Sequence, residues 1–192
     1  IGPSSSVIRQ MGDKITAKDL AEQSNIPIVP GYRGVLPTED HAVKEVAAGV
    51  GYPLIIKASA GGGGRGMRIA ENKNDFSIAF QEASNEAKTN FNDSNCILEK
   101  YIPKARHIEI QIIGDSNGDA CHLSERDCSI QRRHQKLTEE VPSPFMTTAL
   151  RKKMGEAAVK ASEFIKYEGD GTVEFLVDKH RNFYFMEMNT RI

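Results

Sequence analysis

Two segments near the C-terminal end of the chain, GTVEFLVD (171–178) and NFYFMEMN (182–189), each carry a glutamate inside a run of β-branched and aromatic residues. Side chains alternate faces along a strand, so Thr172, Glu174 and Leu176 share one face, and Phe183, Phe185, Glu187 and Asn189 share another. A turn centred on His180 and Arg181 makes the two segments a hairpin in which Glu174 pairs with Glu187 and Thr172 with Asn189. Directly opposed side chains lie about 4.5–5.5 Å apart at Cβ, where like charges repel, and neither segment offers a counter-charge between the two glutamates. Either both carboxylates are solvated on an exposed face, or a hard cation sits between them. Mg²⁺ suits the second case, because it takes one or two carboxylates together with phosphate oxygens. Register decides the matter, since a slip of one residue sends every side chain to the opposite face.

The rest of the chain alternates helical and extended patterns. Residues 13–24 read as a helix opened near Asp13 or Thr16 and stopped by Pro27, Pro30 and Gly31. Thr38 can cap a second helix with Ala42, Val43, Val46, Ala47 and Val50 on its apolar face. A strand (52–59), a glycine-rich turn (61–66), a strand (67–70), a helix (about 73–89) and a strand (95–101) follow, so residues 29–101 read as one small α+β unit. HIEIQII (107–113) alternates cleanly and returns through a turn into 120–125. Residues 126–146 lack periodicity and read as a structured loop. Thr147 or Thr148 caps a helix to about 167, on which Leu150, Met154, Ala157, Ala158, Ala161 and Ile165 recur at helical spacing.

Composition excludes several function classes. Of 192 residues, 39% are hydrophobic and 27% charged, with a net charge of -1, which leaves no electrostatic footprint for nucleic acid or an anionic membrane. No apolar run is long enough for a transmembrane helix, and no signal peptide is expected. Cys96, Cys121 and Cys128 are odd in number and lack metal-type spacing, so free thiols and a cytoplasmic protein are expected.

Gly61, Gly63 and Gly66 match G-x-G-x-x-G, but Met-Arg-Ile-Ala follows as a strand. A dinucleotide fold needs a helix there, and a P-loop needs Lys-Ser/Thr after its last glycine. Strand, glycine loop and strand is the geometry of a flap over nucleotide phosphates, whose unshielded N–H groups approach the phosphate oxygens closely. A flexible hairpin without a ligand is the alternative. Lys57 lies inside the apolar strand before this loop, where an ammonium must snorkel out or meet an anion. Phosphate is the favoured anion, and an edge-strand lysine that blocks aggregation is the other possibility. Glu99-Lys100-Tyr101-Ile102 ends the unit's last strand, where exposed backbone could receive an adenine edge.

ERDCSIQRRHQK (125–136) clusters Arg132, Arg133, His134 and Lys136, either as a solvated surface or as an anion site whose arginines are fixed by Glu125 and Asp127. By alternation Arg191 continues the face of Glu187 and Asn189, where it suits an anionic substrate or a developing oxyanion.

Taken in order, MGDK (11–14), IIKASAGGGGRGMR (55–68), EKYI (99–102), RHIEIQ (106–111), ERDCSIQRRHQK (125–136), GTVEFL (171–176) and FYFMEMNTRI (183–192) resemble the ATP-grasp ligases, and specifically biotin carboxylase. The resemblance implies an α+β ATP-grasp fold. Residues 1–28 would be a helical linker from a missing N-terminal domain, 29–101 a lid subdomain, and 102–192 part of an antiparallel-sheet C-terminal subdomain. It implies nucleotide contacts from Lys14, Lys57, Gly63, Gly64, Glu99, Lys100, Tyr101, Ile102, His107, Gln131 and His134. Glu174, Glu187 and Asn189 match ligands of Mg²⁺ or Mn²⁺, Lys136 a bicarbonate and phosphate contact, and Arg191 the arginine that steadies the biotin ureido oxyanion. The implied substrates are ATP, bicarbonate and carrier-linked biotin. The implied partners are a biotin carboxyl carrier protein or domain and a carboxyltransferase component, in a homo-oligomeric full-length protein of acetyl-CoA carboxylase and fatty acid biosynthesis or a related carboxylase.

In the family the sequence continues past Arg-Ile into a segment with the general base, so the 192-residue chain is expected to bind Mg·ATP without carboxylating biotin alone. Two rivals remain: another ATP-grasp ligase, for carbamoyl phosphate or an amino acid, against which ERDCSIQRRHQK argues, and a nucleotide-binding module without catalysis.

Overall fold

The computed structural model describes residues 2–32, 34, 36–37, 39–60 and 65–191. In chain order the elements begin with α1 (Ser5–Gly12), α2 (Lys14–Gln23), α3 (Asp40–Val50), β1 (Leu54–Ala58), β2 (Met67–Ala70), α4 (Lys73–Phe91) and β3 (Cys96–Lys100). They continue with β4 (Arg106–Gly114), β5 (Ala120–Asp127), β6 (Gln131–Arg132), β7 (Gln135–Lys136), α5 (Thr148–Phe164), β8 (Gly169–Val177) and β9 (Phe183–Thr190). The class is α+β. The chain forms two compact units, one of residues 29–102 with 133–135 and one of 1–28, 103–132 and 136–192.

In the smaller unit an antiparallel sheet of order β2-β1-β3 packs against α3 and α4. Leu54, Ile56 and Ala58 alternate into its core with Val43, Ala47, Phe76, Ala83 and Leu98. Each large apolar side chain so buried stabilises by about 1.5–3 kcal/mol. Asn72 caps α4 by accepting from the Asn74 amide at 2.8 Å, and Asn92 ends it in the left-handed region at φ 56°. The expected cap Thr38 lies outside the described residues, and Glu39 at the N-cap of α3 makes no side-chain cap bond. Gly31 passes so close to β3 that a Cβ would lie 2.4 Å from the Leu98 carbonyl oxygen.

In the larger unit the antiparallel order is β5-β4-β8-β9. Ile108, Ile110 and Ile112, Val173, Phe175 and Val177, and Phe185 and Met188 form one apolar face. Leu150, Met154, Ala158 and Ala161 of α5 pack against it. Residues 1–28, expected as a helical linker, build into this core through Val7, Met11, Ala17, Ala21 and Ile26. Sequence periodicity missed α1, which Ser4 caps by accepting from the Val7 amide. Asp13 caps α2 at Thr16, and Thr147 caps α5 at Leu150.

The terminal hairpin corrects the sequence reading in an instructive way. Asp178 and Asn182 close its loop, Arg181 takes a left-handed φ of 66°, and the Asp178 carboxylate accepts from the His180 and Asn182 amides. The loop is therefore centred on His180 alone, half a residue from the expected centre, which shifts the register by one residue. Strand β9 then carries one extra residue, Met186, between Phe185, which pairs with Phe175, and Glu187, which pairs with Glu174. The two offsets cancel, and the expected pairs Glu174–Glu187 and Thr172–Asn189 form. The expected sharing of one face by Phe183, Phe185, Glu187 and Asn189 does not hold. The bulge leaves Phe185 in the core and turns Glu187 and Asn189 to the other side.

Candidate active site

The polar face of the larger sheet carries one continuous row of charge. Strand alternation that sends Ile108, Ile110 and Ile112 inward sends His107, Glu109 and Gln111 outward. Register then aligns Arg126 of β5 with Glu109 of β4, Glu174 of β8 and Glu187 of β9. The neighbouring row is Gln111, Thr172 and Asn189.

Glu174 meets a counter-charge that it shares with Glu109 rather than with Glu187. Lys136 Nζ lies 2.5 Å from Glu109 Oε2 and 2.6 Å from Glu174 Oε1. Arg126 closes on the other oxygen of Glu109 through Nε, at 2.5 Å, and through Nη2. Glu174 also meets His107 Nε2, and Asn189 Nδ2 donates to it at 2.5 Å. Glu109 and Glu174 are 1% and 3% exposed, so these partners are what lets two carboxylates stay buried and ionised. Burial on its own would raise the Glu174 carboxyl, but His107 and Lys136 hold it down to about 2. Burial pulls the Lys136 ammonium down, and the two carboxylates more than reverse this, so it lies above its ordinary value.

The His107 tautomer follows from its neighbours. Gln131 Nε2 donates to the Cys128 carbonyl at 2.8 Å, which orients its amide, and the same nitrogen lies 2.8 Å from His107 Nδ1. Nδ1 therefore accepts, and Nε2–H donates to Glu174.

Glu187 is half-buried and has no hydrogen-bond or ion-pair partner among the described residues. It is the member of the row with free lone pairs. With Glu174, Asn189 and Thr172 beside it, the donor set is oxygen-rich, which fits a hard divalent cation. Arg191 is exposed on the same side, with Nη2 3.4 Å from Thr172 Oγ1. A different trio, Glu109, Cys128 and Glu139, also has ligand atoms within 4.8 Å of one another. It suits a metal poorly: Arg126 already bridges Glu109 and Glu139, and burial and Glu109 push the Cys128 thiol up to about 12.

His107, Gln131, Lys136, Glu174, Glu187, Asn189 and Arg191 thus come together on one face. Lys14 opens α2, whose Ala17 and Ala21 enter the core. Lys57, Glu99, Lys100, Tyr101, Ile102 and His134 belong to the smaller unit. There β1 is the central strand, so the edge-strand reading of Lys57 is wrong. Its ammonium lies 2.8 Å from the carboxylate of Glu99, which is 3% exposed.

The backbone at 99–102 is less open than expected. The Lys100 amide donates to Pro30 and the Tyr101 amide to Pro53, while Lys100 Nζ donates to the Gly51 and Tyr52 carbonyls. His134 is exposed in a left-handed two-residue turn with Arg133. Gly63 and Gly64 lie outside the described residues. Glu125 and Asp127 do not fix Arg132 or Arg133. Glu125 takes Arg151 of α5 as a bidentate partner at 2.7 Å, and Asp127 accepts from Ser129 and Ser143.

Sequence reasoning gave no role to Glu109, Arg126, Gln111 or Thr172. The alternation of HIEIQII carries the signal for Glu109 and Gln111, since a glutamate between inward-facing isoleucines must find a partner on the polar face.

The chain matches the family described as carbamoyl-phosphate synthase L chain, ATP binding domain, over residues 13–192. It is 53% identical over 192 residues to a biotin carboxylase of Nostoc sp., covering all of this chain and 43% of that relative. A Campylobacter jejuni biotin carboxylase in a β-γ-ATP complex is 50% identical, with a TM-score of 0.95 over 100% of this chain and 43% of that one. The biotin carboxylase domain of Hydrogenobacter thermophilus 2-oxoglutarate carboxylase, in complex with MgADP, ADP and bicarbonate, is 46% identical, with a TM-score of 0.94 over 100% and 42%. The chain spans less than half the length of these relatives. With its antiparallel sheets, its polar row and these likenesses, the chain belongs to the carbamoyl-phosphate synthase L chain, ATP binding domain family, as an ATP-grasp segment of the biotin carboxylase type.

Proposed function

We propose that the chain is the nucleotide- and metal-binding core of a biotin carboxylase, which uses ATP and bicarbonate to carboxylate biotin held on a carrier protein or domain. The row Arg126–Glu109–Lys136–Glu174, continued by Glu187, Asn189 and Arg191, carries this reading. It pairs a lysine and an arginine for anions with oxygen donors for a cation. The MgADP and bicarbonate of the Hydrogenobacter thermophilus structure support it.

Glu174, Glu187 and Asn189 would hold Mg²⁺ or Mn²⁺. When bound, such an ion neutralises phosphate oxygens during phosphoryl transfer. Lys57, Gly63, Gly64, Lys14, His107, Gln131, His134 and residues 99–102 contact the nucleotide in this scheme. The Lys100 and Tyr101 amides, bonded to Pro30 and Pro53, are not the groups that meet the base in this scheme. A bicarbonate oxygen attacks the γ-phosphorus, ADP leaves, and the carboxyphosphate formed breaks down to CO₂ and phosphate. Lys136 holds the anion through these steps. The ureido N1′ of biotin then gives its proton to the phosphate just released and attacks CO₂, while Arg191 faces the ureido oxygen as negative charge develops there.

No helix among the described residues is long and apolar enough to cross a membrane. A cytoplasmic setting, a carboxyltransferase partner, homo-oligomerisation, and service in acetyl-CoA carboxylase and fatty acid synthesis belong to the same proposal.

Calorimetric titration of the chain with ATP, with and without Mg²⁺, tests the binding core: metal-dependent binding is expected, and its absence refutes the core reading. In the full-length protein, bicarbonate-dependent ATP hydrolysis stimulated by free biotin is expected, and a protein that lacks it is not a biotin carboxylase.

A further inference from the structure

Strand β9 leaves the sheet at Thr190, whose register partner is Gly171. Arg191 is the next residue, and its amide has no ladder partner. That amide donates instead to the hydroxyl of Tyr167 at 3.2 Å, and the hydroxyl donates its own hydrogen to the Asp170 carbonyl at 2.7 Å. A phenol has a single hydrogen, so the direction of both bonds is settled.

Tyr167 is 1% exposed and held on several sides. A Cβ at Gly171 would lie 2.7 Å from its hydroxyl, and a Cβ at Gly114 would lie 1.9 Å from its carbonyl oxygen. Both glycines sit in strands, β8 and β4, so the phenol is locked to the sheet. The Tyr167 amide is also tied to the Ser162 carbonyl at the end of α5. By contrast, the Arg191 side chain is exposed, and its recorded bond is the 3.4 Å contact to Thr172. The backbone anchor therefore sets where the guanidinium starts. Packing alone would be satisfied by phenylalanine at 167; the hydroxyl is explained by the strand end it ties down.

We infer that Tyr167 is a positioning residue for Arg191: its hydroxyl fixes the end of β9, and so the origin of the guanidinium on the polar face. The inference rests on the carboxylation reading, in which Arg191 meets the biotin oxyanion. Tyr167→Phe removes the hydroxyl and keeps the ring.

In the full-length protein, the kcat for carboxylation of free biotin should fall about tenfold, the size of effect that a small misplacement produces, with KM for ATP unchanged within about twofold. In an Arg191→Ala background the same change should have almost no further effect on kcat. An equal loss in both backgrounds, or no loss in either, overturns the inference. Amide hydrogen exchange supplies a readout independent of turnover. In the unsubstituted protein the Arg191 amide should exchange as slowly as the paired amides of β9, and in Tyr167→Phe it should lose that protection. Solvent-rate exchange in the unsubstituted protein, or unchanged protection in the variant, overturns the inference as well. A full-length protein that carboxylates no biotin refutes the functional reading, and the exchange measurement then decides the anchor by itself.

Discussion

Glu174 and Glu187 face each other across β8 and β9 because Met186 is an extra residue in β9. With Met186 present but no bulge, the pairing set by the Asp178–Asn182 loop would place Met186 opposite Glu174 and turn Glu187 toward the core. Deleting Met186 itself removes the bulge and sets Glu187 directly after Phe185, so Glu187 should stay opposite Glu174 on the polar face of a regular ladder. A stability change of no more than about 1 kcal/mol is expected. Chemical denaturation followed in the larger unit measures it, and a loss of about 3 kcal/mol or more would mean that Met186 is not simply an extra residue in the ladder.

Glu187 and Glu174 should respond differently to neutralisation. Glu187→Gln removes a carboxylate that bonds nothing among the described residues, so stability should move by no more than about 0.5 kcal/mol. Metal-dependent ATP affinity should drop roughly tenfold or more. Titration calorimetry at fixed Mg²⁺ reads this directly, and an unaltered affinity would remove Glu187 from the metal site.

Lys57 and Glu99 form a buried pair on the central and flanking strands of the smaller unit. Lys57→Ala should cost about 1.5–3 kcal/mol by removing a charge-assisted hydrogen bond from a buried carboxylate, and adding Glu99→Gln should recover part of that loss. Denaturation of the single and double variants provides the cycle. Strict additivity would show that the two side chains are not coupled. ATP titration of the same variants separates the structural role of Lys57 from its proposed phosphate contact.

Acid should loosen the larger unit through Glu125. Burial alone would raise this carboxyl, yet the bidentate Arg151 pair, Ser124 and the Ser143 amide hold it down from an ordinary 4.5 to about 2. The folded state is the weaker proton binder, so the stabilisation is complete above about pH 4.5 and is lost as pH falls toward 2. The shift corresponds to about 3 kcal/mol. Arg151→Gln should lower stability at neutral pH and flatten the acid limb between those values. A limb of unchanged slope would assign the acid sensitivity to other groups.

The chain's own residues made much of this legible. Strict alternation in HIEIQII and GTVEFLVD established strands with one apolar and one polar face, helical spacing placed α3 and α5, and the family motifs named part of the polar face, His107, Lys136, Glu174, Glu187 and Asn189 among it. These signals are local, because alternation and helical period depend only on neighbours along the chain. The Glu174–Glu187 pairing was reached through a loop register off by one residue, which the unforeseen bulge at Met186 offset.

What only the tertiary structure decided is how the charges neutralise one another. Glu174 meets His107 from 67 residues away and Lys136 from 38, because strand order sets β8 beside β4. Arg126 reaches Glu109 because β5 flanks β4 on its other side. Tyr167 finds the Arg191 amide because Gly114 and Gly171 leave room for its ring and carbonyl. Electrostatic partnership in a sheet depends on which strands lie side by side and in what register, and neither is encoded in any one segment's periodicity.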